Sequence, residues 1–413
     1  MNHIKKEHYN LYLLKTKEFK VVNVAFVFQR KNTVEDELYR TLLKKILFLK
    51  TAKCDNLEKL AIAATQIYNP KAFIKAQTSS QYRTFSIIGE FINEKYTEKG
   101  MNKKNLEYIM DYFWHPLIIN NGFDKETFNQ CKKNYLEELK NAKNYPEEYS
   151  LDQCFRFLNL YDFKIPTNEE LINMLEKIDE KKLYNYYKSM FTEDSLEIFI
   201  VGDVDENIIS TIDNYIYGGF ALPKIIKSKE YQVKEVKQIT EKIDNPQSKL
   251  LLGYKMHDLT EFEEKYVSLL LAVILGGGTE SLLHQEVRKK RSLCYYIYAS
   301  TYNLFNIMII SAGIAPNKSS EVIEIIKQEI EKIKQGKITS KKLEEVKRLY
   351  KNILLESKDS QMEILNNLIG MITKGADDIE TRFTMINKVT VNDITNLASK
   401  IKLDTIFLLE GTK

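Results

Sequence analysis

The sequence predicts an α+β protein made of two homologous halves, each a mostly antiparallel sheet backed by helices. Short apolar segments alternate with segments of helical periodicity, and this order starts again after a polar stretch. The two halves also end alike: KIDEKKLYNYYKSMFTEDSLEIFIVGD starts at Lys177, and KVTVNDITNLASKIKLDTIFLLEGT starts at Lys388. Each of these segments predicts a short helix, a turn, an apolar strand and a glycine turn. We therefore expect an internal duplication.

The first half, residues 1–222, is predicted to contain four strands among helices. The apolar, β-branched segment VVNVAFVFQR indicates a strand at Val21–Arg30. Alternation within Phe73–Ile88 favours a pair of strands, and LEIFIV indicates another at Leu196–Val201. Apolar spacing predicts helices over the following ranges, with mostly helical structure from there to about Ser189: Glu35–Thr51, Asp55–Tyr68, Asn105–Trp114 and Lys125–Lys143.

A linker is predicted at residues 223–246, which are polar, rich in lysine and bounded by prolines. The second half, residues 247–413, repeats the pattern of the first. Strands are expected at Lys249–Lys255, Tyr295–Tyr302, Ile307–Ala315 and Thr405–Leu409. Helices are expected at Glu261–Leu275, Ser319–Lys334 and Ser340–Lys358.

Composition excludes several classes of protein. Hydrophobic residues make up 44% of the 413 and charged residues 29%, while Gly (15) and Pro (7) are scarce, which argues against collagen-like and disordered chains. The net charge of +4 comes from 61 basic and 57 acidic residues, without the concentrated charge of a nucleic-acid binder. The longest apolar run is too short to span a bilayer, and the N-terminus lacks an apolar signal region. Four scattered cysteines fit a reducing compartment, so we expect a cytoplasmic protein.

Common catalytic motifs are absent from the sequence. None of the five histidines lies in an HExxH or HxxEH arrangement, and there is no GxSxG, P-loop or GxGxxG. The run Gly276–Gly278 before Thr-Glu-Ser fits a phosphate-binding turn or, equally, a helix end followed by a new N-cap. The basic run Arg288–Arg291 fits a solvated helix face better than a nucleic-acid patch, because no array of aromatic residues accompanies it.

A resemblance to a known family starts from GGGTESLLHQEVRKKRSLCYYIYAS, which begins at Gly276. This segment resembles the C-terminal-half signature of the insulinase/pitrilysin-type peptidases, the inverzincins: a glycine-rich turn, Ser, Leu, then Val-Arg and a Leu-x-Tyr. The resemblance implies that Arg288 and Tyr295 are the family's Arg/Tyr pair. It also implies that Gly277 and Ser281, in the turn, bind substrate.

The N-terminal half resembles the same family. LKKILFLKT, residues Leu43–Thr51, occupies the place of the family's LEH-x-LF-x-GT helix. KAQTSSQYRTFS resembles the active-site strand pair, which implies that its first residues, Lys75 and Ala76, bind substrate. Phe123–Leu139 resembles the helix that supplies the third zinc ligand, which would be Glu138.

The zinc-binding positions depart from the family pattern. In the family, two His of a His-x-x-Glu-His helix bind zinc and the Glu is the general base. The matching positions here are Thr41, Lys44 and Lys45, which share one helical face. A protonated Lys has no lone pair, and Glu138 alone cannot hold zinc, which needs three protein ligands in a catalytic site. Glu138 is then better explained as a charged residue on a helix face beside Glu137.

The resemblance covers nearly the whole chain and implies a function that depends on a partner. The chain resembles the zinc-lacking subunit of bacterial heterodimeric pairs, whose two halves form half of a clamshell that encloses peptides. It would hold no cofactor itself, and a zinc-bearing homologue would supply the metal. Arg288 and Tyr295 would donate hydrogen bonds to the substrate carbonyl and the developing oxyanion. Two alternatives stay open: an inactive protein that only binds peptide or a partner, and a scaffold in which this pair is incidental.

Overall fold

The structure is a computed structural model that describes residues 1–79, 81–160, 165–217, 220–221, 233 and 235–413. Its strands are β1 Asn2–Lys5, β2 Asn10–Leu14, β3 Val21–Lys31, β4 Lys71–Ser79, β5 Tyr82–Ile92, β6 Ile118–Ile119, β7 Gly122–Phe123, β8 Ser195–Val201, β9 Lys237–Ile243, β10 Ser248–Met256, β11 Cys294–Tyr302, β12 Ile307–Ile314 and β13 Ile401–Gly411. Its α-helices are α1 Val34–Ile46, α2 Leu57–Thr65, α3 Met101–Trp114, α4 Lys125–Lys140, α5 Pro146–Leu158, α6 Asn168–Glu176, α7 Glu180–Glu193, α8 Asn207–Tyr215, α9 Ser268–Gly276, α10 Ser319–Lys334, α11 Ser340–Glu356, α12 Gln361–Lys374, α13 Ile379–Lys388 and α14 Val391–Lys400. The predicted α+β class is confirmed.

Two sheets share one topology, as an internal duplication requires. The first sheet has the order β1-β2-β8-β3-β5-β4, and the second has the order β11-β12-β10-β13-β9. In each, an edge hairpin (β4–β5 or β11–β12) joins an antiparallel pair (β3–β8 or β10–β13), and the last strand pairs in parallel with an early strand of the half (β2 or β9). The first sheet has β1 as an additional edge strand. The two halves predicted from the sequence therefore have the same fold.

The described residues form two compact units, and neither unit is a continuous stretch of chain. Unit 1 falls within Met1–Lys140, Pro166–Ile226 and Lys358–Gly375, and unit 2 within Asn141–Ile165, Lys227–Ser357 and Ala376–Lys413. Helix α5, encoded in the first half, thus belongs to unit 2, while α12, encoded in the second half, belongs to unit 1. Each half of the sequence therefore contributes one helix to the unit that the other half mainly forms.

Helix α12 covers the face of the first sheet that the other helices of unit 1 leave open. Alternate residues of β3 point to opposite faces: Phe26 joins the main core beneath α1, α3 and α7, whereas Val27 packs with Leu365 and Leu368 of α12. The side chain of Gln361 donates to the carbonyl oxygens of Val21 and Val201, at 3.0 and 2.7 Å. These bonds attach the first turn of α12 to the ends of β3 and β8.

Helix α5 covers the corresponding face of the second sheet. Its Cys154 and Leu158 are buried against Leu251 and Phe407. A Cβ atom at Gly253 would lie 2.9 Å from the end of the Leu158 side chain, so glycine at this position of β10 gives α5 its close approach. The opposite face of this sheet packs against α9, α10, α11 and α14.

Most predicted elements are present. The elements that were not expected from the sequence are β1, β2, β6, β7, β9, α8, α12 and α13. β9 lies inside the stretch 223–246 expected as a linker, of which residues 223–232 and 234 lie outside the described residues. β13 is also longer than the predicted Thr405–Leu409, because it continues to Gly411 in register with β9.

Across the described residues, no helix combines the length and the hydropathy that crossing a membrane would require.

Candidate functional site

Helix α1 carries the degenerate zinc-site positions and is fixed by its cap and its apolar face. The Thr33 hydroxyl accepts from the Asp36 N–H at 3.3 Å, and the Asp36 carboxylate accepts from the Thr33 N–H at 2.9 Å, which closes a reciprocal capping box. The leucines and the isoleucine of the helix are buried in the core of unit 1. Thr41 and Lys45 are therefore left half-buried, and Lys44 exposed.

Lys45 and Glu138 form an ion pair between α1 and α4. The ammonium nitrogen of Lys45 lies 2.7 Å from Oε1 and 2.6 Å from Oε2 of Glu138, so it bridges both carboxylate oxygens. The same nitrogen lies 5.5 Å from the ring centre of Tyr135, within the range of a cation–π contact. The structure thus brings together two of the positions that the family resemblance assigned to a zinc site.

Tyr135, on α4, lies next to the Lys45–Glu138 ion pair. Its side chain is buried in the core of unit 1. Burial, together with the nearby carboxylate of Glu37, raises the pKa of Tyr135, so its hydroxyl stays protonated. Tyr135 and Glu138 are three residues apart on α4, so they lie on one face of that helix. Thr41 and Lys45 are four residues apart on α1 and share a face in the same way. The two pairs of side chains face each other.

These side chains do not fit a catalytic zinc ion. They offer one carboxylate, one neutral hydroxyl, and two ammonium groups that have no lone pair. Catalytic zinc takes three protein ligands from His, Cys, Asp and Glu. In the part of the chain that the structure describes, no group of three or more such residues is arranged to hold a metal.

A second ion pair borders the cluster, and sequence reasoning did not find it. The guanidinium of Arg83, on β5, lies 2.8 Å from Glu37, one helical turn before Thr41. The same guanidinium donates to the Thr78 hydroxyl on β4 at 2.8 Å. The i, i+4 spacing of Glu37 and Thr41 was visible in the sequence, but the partner on β5 is not local and could not be inferred.

Lys75 and Ala76 lie on β4, the edge strand of the first sheet. β4 pairs with β5 only, among the described strands. The two side chains point to opposite faces: Ala76 packs beside the main core of unit 1, whereas Lys75 is exposed, 5.5 Å from the ring of Phe73. Their proposed role in substrate binding stays a prediction, and only one of the two could contact a ligand on a given face.

Arg288 and Tyr295 lie on the two sides of a turn in unit 2. Arg288 is in the π-helical turn His284–Lys289, and Tyr295 is the second residue of β11, the edge strand of the second sheet. The N–H of Ser292 donates to the carbonyl of Arg288 at 3.0 Å, which ties the turn together. The structure confirms the predicted order of helix, turn and strand.

Both side chains are available for a ligand. Tyr295 is 59% exposed, and its hydroxyl bonds to no described residue. The guanidinium of Arg288 is exposed and meets only the His284 ring, at 3.5 Å, with no carboxylate near it in the described chain. By contrast, the neighbouring Arg291 and Lys290 are both paired with Glu286. Within the basic run, Arg288 and Lys289 are therefore the two residues without an acidic partner in the described part of the chain.

The glycine-rich turn is explained by packing. A Cβ atom on Gly276 would lie 2.3 Å from the main-chain nitrogen of Ala299, so the end of α9 touches the backbone of β11 directly. A Cβ on Gly277 would lie 2.6 Å from Val273, one turn earlier. Ser281 is buried, and its hydroxyl donates to the Gly278 carbonyl at 2.6 Å. These contacts favour the helix-end explanation over a phosphate site, and the substrate-binding roles of Gly277 and Ser281 stay predictions.

Comparison with known proteins gives consistent matches. Residues 177–350 match the family described as the peptidase M16 inactive domain. The chain is 24% identical to "Probable inactive metalloprotease YmfF" of Bacillus subtilis (strain 168), over 100% of this chain and 99% of that protein. It is 26% identical to "Uncharacterized zinc protease YmxG" of the same strain, over 70% of this chain and 71% of that one.

Among solved structures, a conserved protein from Enterococcus faecalis V583 matches with a TM-score of 0.89. The match covers 100% of this chain and 99% of that protein at 23% identity. This similarity extends over both units and supports the fold described above.

Proposed function

We propose that this chain, of which residues 177–350 match the peptidase M16 inactive domain, is the non-zinc subunit of a heterodimeric zinc metallopeptidase. The observation that carries the proposal is the contrast between its two candidate sites. The zinc positions are occupied by an ion pair between Lys45 and Glu138, whereas Arg288 and Tyr295 are exposed and hold no carboxylate partner among the described residues. A chain that kept only this second site would need a partner for the rest of the chemistry.

Arg288 and Tyr295 would stabilise negative charge on the substrate. A guanidinium stays charged at every physiological pH, and a tyrosine hydroxyl stays protonated near neutrality. Both can therefore donate hydrogen bonds to a carbonyl oxygen as charge develops on it, without changing their own protonation state. The partner would supply the zinc, and this chain would bind and orient the scissile peptide.

The peptide substrate would bind in an extended conformation at a sheet edge. β4 and β11 each have one unpaired edge among the described strands, and unpaired N–H and C=O groups can accept an added strand. Main-chain hydrogen bonds give such sites affinity with little dependence on sequence. This chain or its partner could provide the edge.

The expected partner is a zinc-bearing M16 homologue. Two of the matched relatives come from the same bacterial strain, one named as an inactive metalloprotease and the other as a zinc protease. That coexistence of an inactive chain and a zinc chain supports an analogous pairing here. A specific interface between them should bury more than roughly 1,000 Å².

Reconstitution tests the proposal. The chain would be purified alone and mixed with a homologue from the same source that has an intact His-x-x-Glu-His helix, and cleavage of fluorogenic peptides would be followed. We expect cleavage from the mixture only, together with co-elution in size-exclusion chromatography, and loss of activity with a chelator. Chelator-sensitive cleavage by this chain alone would contradict the proposal.

The second candidate is a catalytically inactive peptide-binding or scaffold protein. The Lys45–Glu138 ion pair favours it, since the zinc positions carry no catalytic group. It predicts no cleavage by any mixture, or cleavage that the removal of the Tyr295 hydroxyl leaves unchanged. The Tyr295 variant described in the Discussion therefore separates the two functions.

A further inference from the structure

We propose that the ammonium group of Lys45 is a built-in replacement for the metal ion, closing the degenerate site to metals and joining α1 to α4 in its place. This inference concerns unit 1 alone and is independent of any partner. It rests on the contacts of three side chains, Lys45 on α1 and Tyr135 and Glu138 on α4.

The first step is the position of the charge. Lys45 Nζ lies 2.7 and 2.6 Å from the two oxygens of Glu138, so a single cation bridges the carboxylate that the family resemblance assigns as a metal ligand. The ring of Tyr135 lies 5.5 Å from the same nitrogen. The cation, carried by α1, thus contacts two groups of α4 in a pair that stays accessible to solvent, with 24% of the Lys45 side chain and 55% of the Glu138 side chain exposed.

The second step is the effect on any metal. Both oxygens of Glu138 are engaged by Lys45, and the other α1 position, Thr41, offers only a neutral hydroxyl. An ammonium cannot donate a lone pair, and its charge repels a second cation. A metal could enter only after Lys45 left. The ammonium group of Lys45 therefore occupies the site, and its ion pair with Glu138 joins the two helices without a cofactor.

Lys44 provides the internal comparison. It neighbours Lys45 on α1 and has the same side chain, but it is exposed and forms no ion pair among the described residues. Replacing Lys44 changes the charge of the helix in the same way as replacing Lys45. Any difference between the two replacements therefore reports the contact with Glu138.

Metal binding by designed variants tests the inference. The double variant Thr41→His/Lys45→His removes the internal cation and adds two imidazoles one turn apart, facing Glu138. The matched control is Thr41→His/Lys44→His, which keeps the ion pair. Binding of Zn²⁺ would be measured by competition with a chromogenic chelator, and binding of Co²⁺ by its visible absorption.

We expect one metal per chain for Thr41→His/Lys45→His, and only weak binding for the wild type and for the control. Adding Glu138→Gln should weaken binding at least by the roughly 10–100-fold typical of losing a metal's outer-shell partner. A wild-type chain that binds one zinc tightly would overturn the inference. So would a folded Thr41→His/Lys45→His variant that binds metal no better than the control.

A charge exchange tests the joining role if the histidine variant does not fold. Lys45→Glu places two carboxylates face to face and should lower the melting temperature, whereas Lys44→Glu should lower it less. Adding Glu138→Lys to Lys45→Glu restores an opposite pair and should recover most of the loss. Absence of any recovery would show that the pair does not join α1 to α4.

Discussion

Arg40 and Asp194 form an ion pair that is fully buried: Nη2 of Arg40 lies 2.6 Å from Oδ2 of Asp194, and neither side chain is exposed. Arg30 also donates to Asp194, and Asp36 lies 4.0 Å from Arg40, so two positive and two negative groups balance one another. Because Arg40 lies on α1, this cluster fixes the helix that carries the degenerate site.

Replacing Arg40 with Met should destabilise the protein strongly. The change leaves Asp194 buried with one cation fewer, and breaking a buried ion pair from one side typically costs about 3–5 kcal/mol. Denaturant unfolding of the wild type and of Arg40→Met would measure the difference. The double variant Arg40→Met/Asp194→Asn should lose less than the sum of its two single changes. A loss below about 1 kcal/mol for Arg40→Met, as at an exposed pair, would contradict this prediction.

Replacing Gly276 with Ala should displace β11. The added Cβ would lie 2.3 Å from the nitrogen of Ala299 and 2.7 Å from the carbonyl carbon of Tyr298, and these main-chain atoms cannot rotate away as a side chain would. Overpacking commonly costs about 1–3 kcal/mol, and we expect the upper part of that range. Thermal unfolding would measure this loss of stability. An unchanged melting temperature would show that β11 can shift without a cost in stability.

Replacing Tyr295 with Phe should lower turnover in the reconstituted pair by about 10²–10³, the usual cost of one oxyanion donor. The ring stays and only the hydroxyl is lost, so the fold should be unaffected. Tyr298→Phe is the matched control, because Tyr298 is also exposed on β11, at 42%. Near-wild-type turnover for Tyr295→Phe would favour the binding or scaffold function.

Replacing Arg288 with Ala should cost at least as much turnover as Tyr295→Phe, because a permanent charge is removed as well as a donor. Arg291→Ala is its control, since Arg291 is already paired with Glu286 at 2.7 Å. Steady-state kinetics of the mixed pair would compare the two, with thermal unfolding as the test of folding. Equal effects of both variants would indicate a general need for positive charge rather than a specific contact.

Thiol labelling should distinguish Cys54 from the other three cysteines. Burial raises the pKa of Cys154 to about 12 and that of Cys294 to about 11, and it also raises the pKa of Cys131. Few thiolates then form at these sites near neutral pH, and access is limited as well. Cys54 is half-buried. Iodoacetamide should therefore modify Cys54 first in the native chain, which mass spectrometry of peptides would show. Rapid labelling of Cys154 in folded protein would contradict the packing of α5.

The sheets could largely be predicted because their central strands have local signals. β3, β8, β10 and β12 are apolar and rich in β-branched residues, and their burial on both faces explains those continuous runs. The hairpin of β4 and β5 was visible in its alternation. The duplication was visible because both halves end with a helix followed by such a strand.

The elements that sequence reasoning missed depend on distant contacts. β2 has only five residues, and β9 alternates between half-buried and exposed positions with charged side chains, as an edge strand does. α12 contains two adjacent asparagines and Gly370, which lower its helix propensity. It is stabilised because its apolar side packs on the first sheet, which comes from the other half of the sequence. No local pattern indicates that partner.

The candidate site shows the same limit. The resemblance located Thr41, Lys45 and Glu138, but the contact between Lys45 and Glu138 joins residues 93 positions apart and required the structure. Arg40 gave no signal at all, because an arginine in an amphipathic helix is ordinarily solvent-exposed. Its burial follows from Asp194, which lies between α7 and β8, and from Asp36 on its own helix.

The exchange of α5 and α12 sets the order in which the molecule can be completed during synthesis. The first sheet has all its strands once the ribosome has passed Val201, but its covering helix begins only at Gln361. At about 5–20 residues per second this leaves an interval of roughly 10–30 s in which Val27 and Phe199 have no cover from α12. A nascent chain with that apolar surface is a natural client for chaperones. Truncation anywhere before α12 would leave unit 1 permanently in that state.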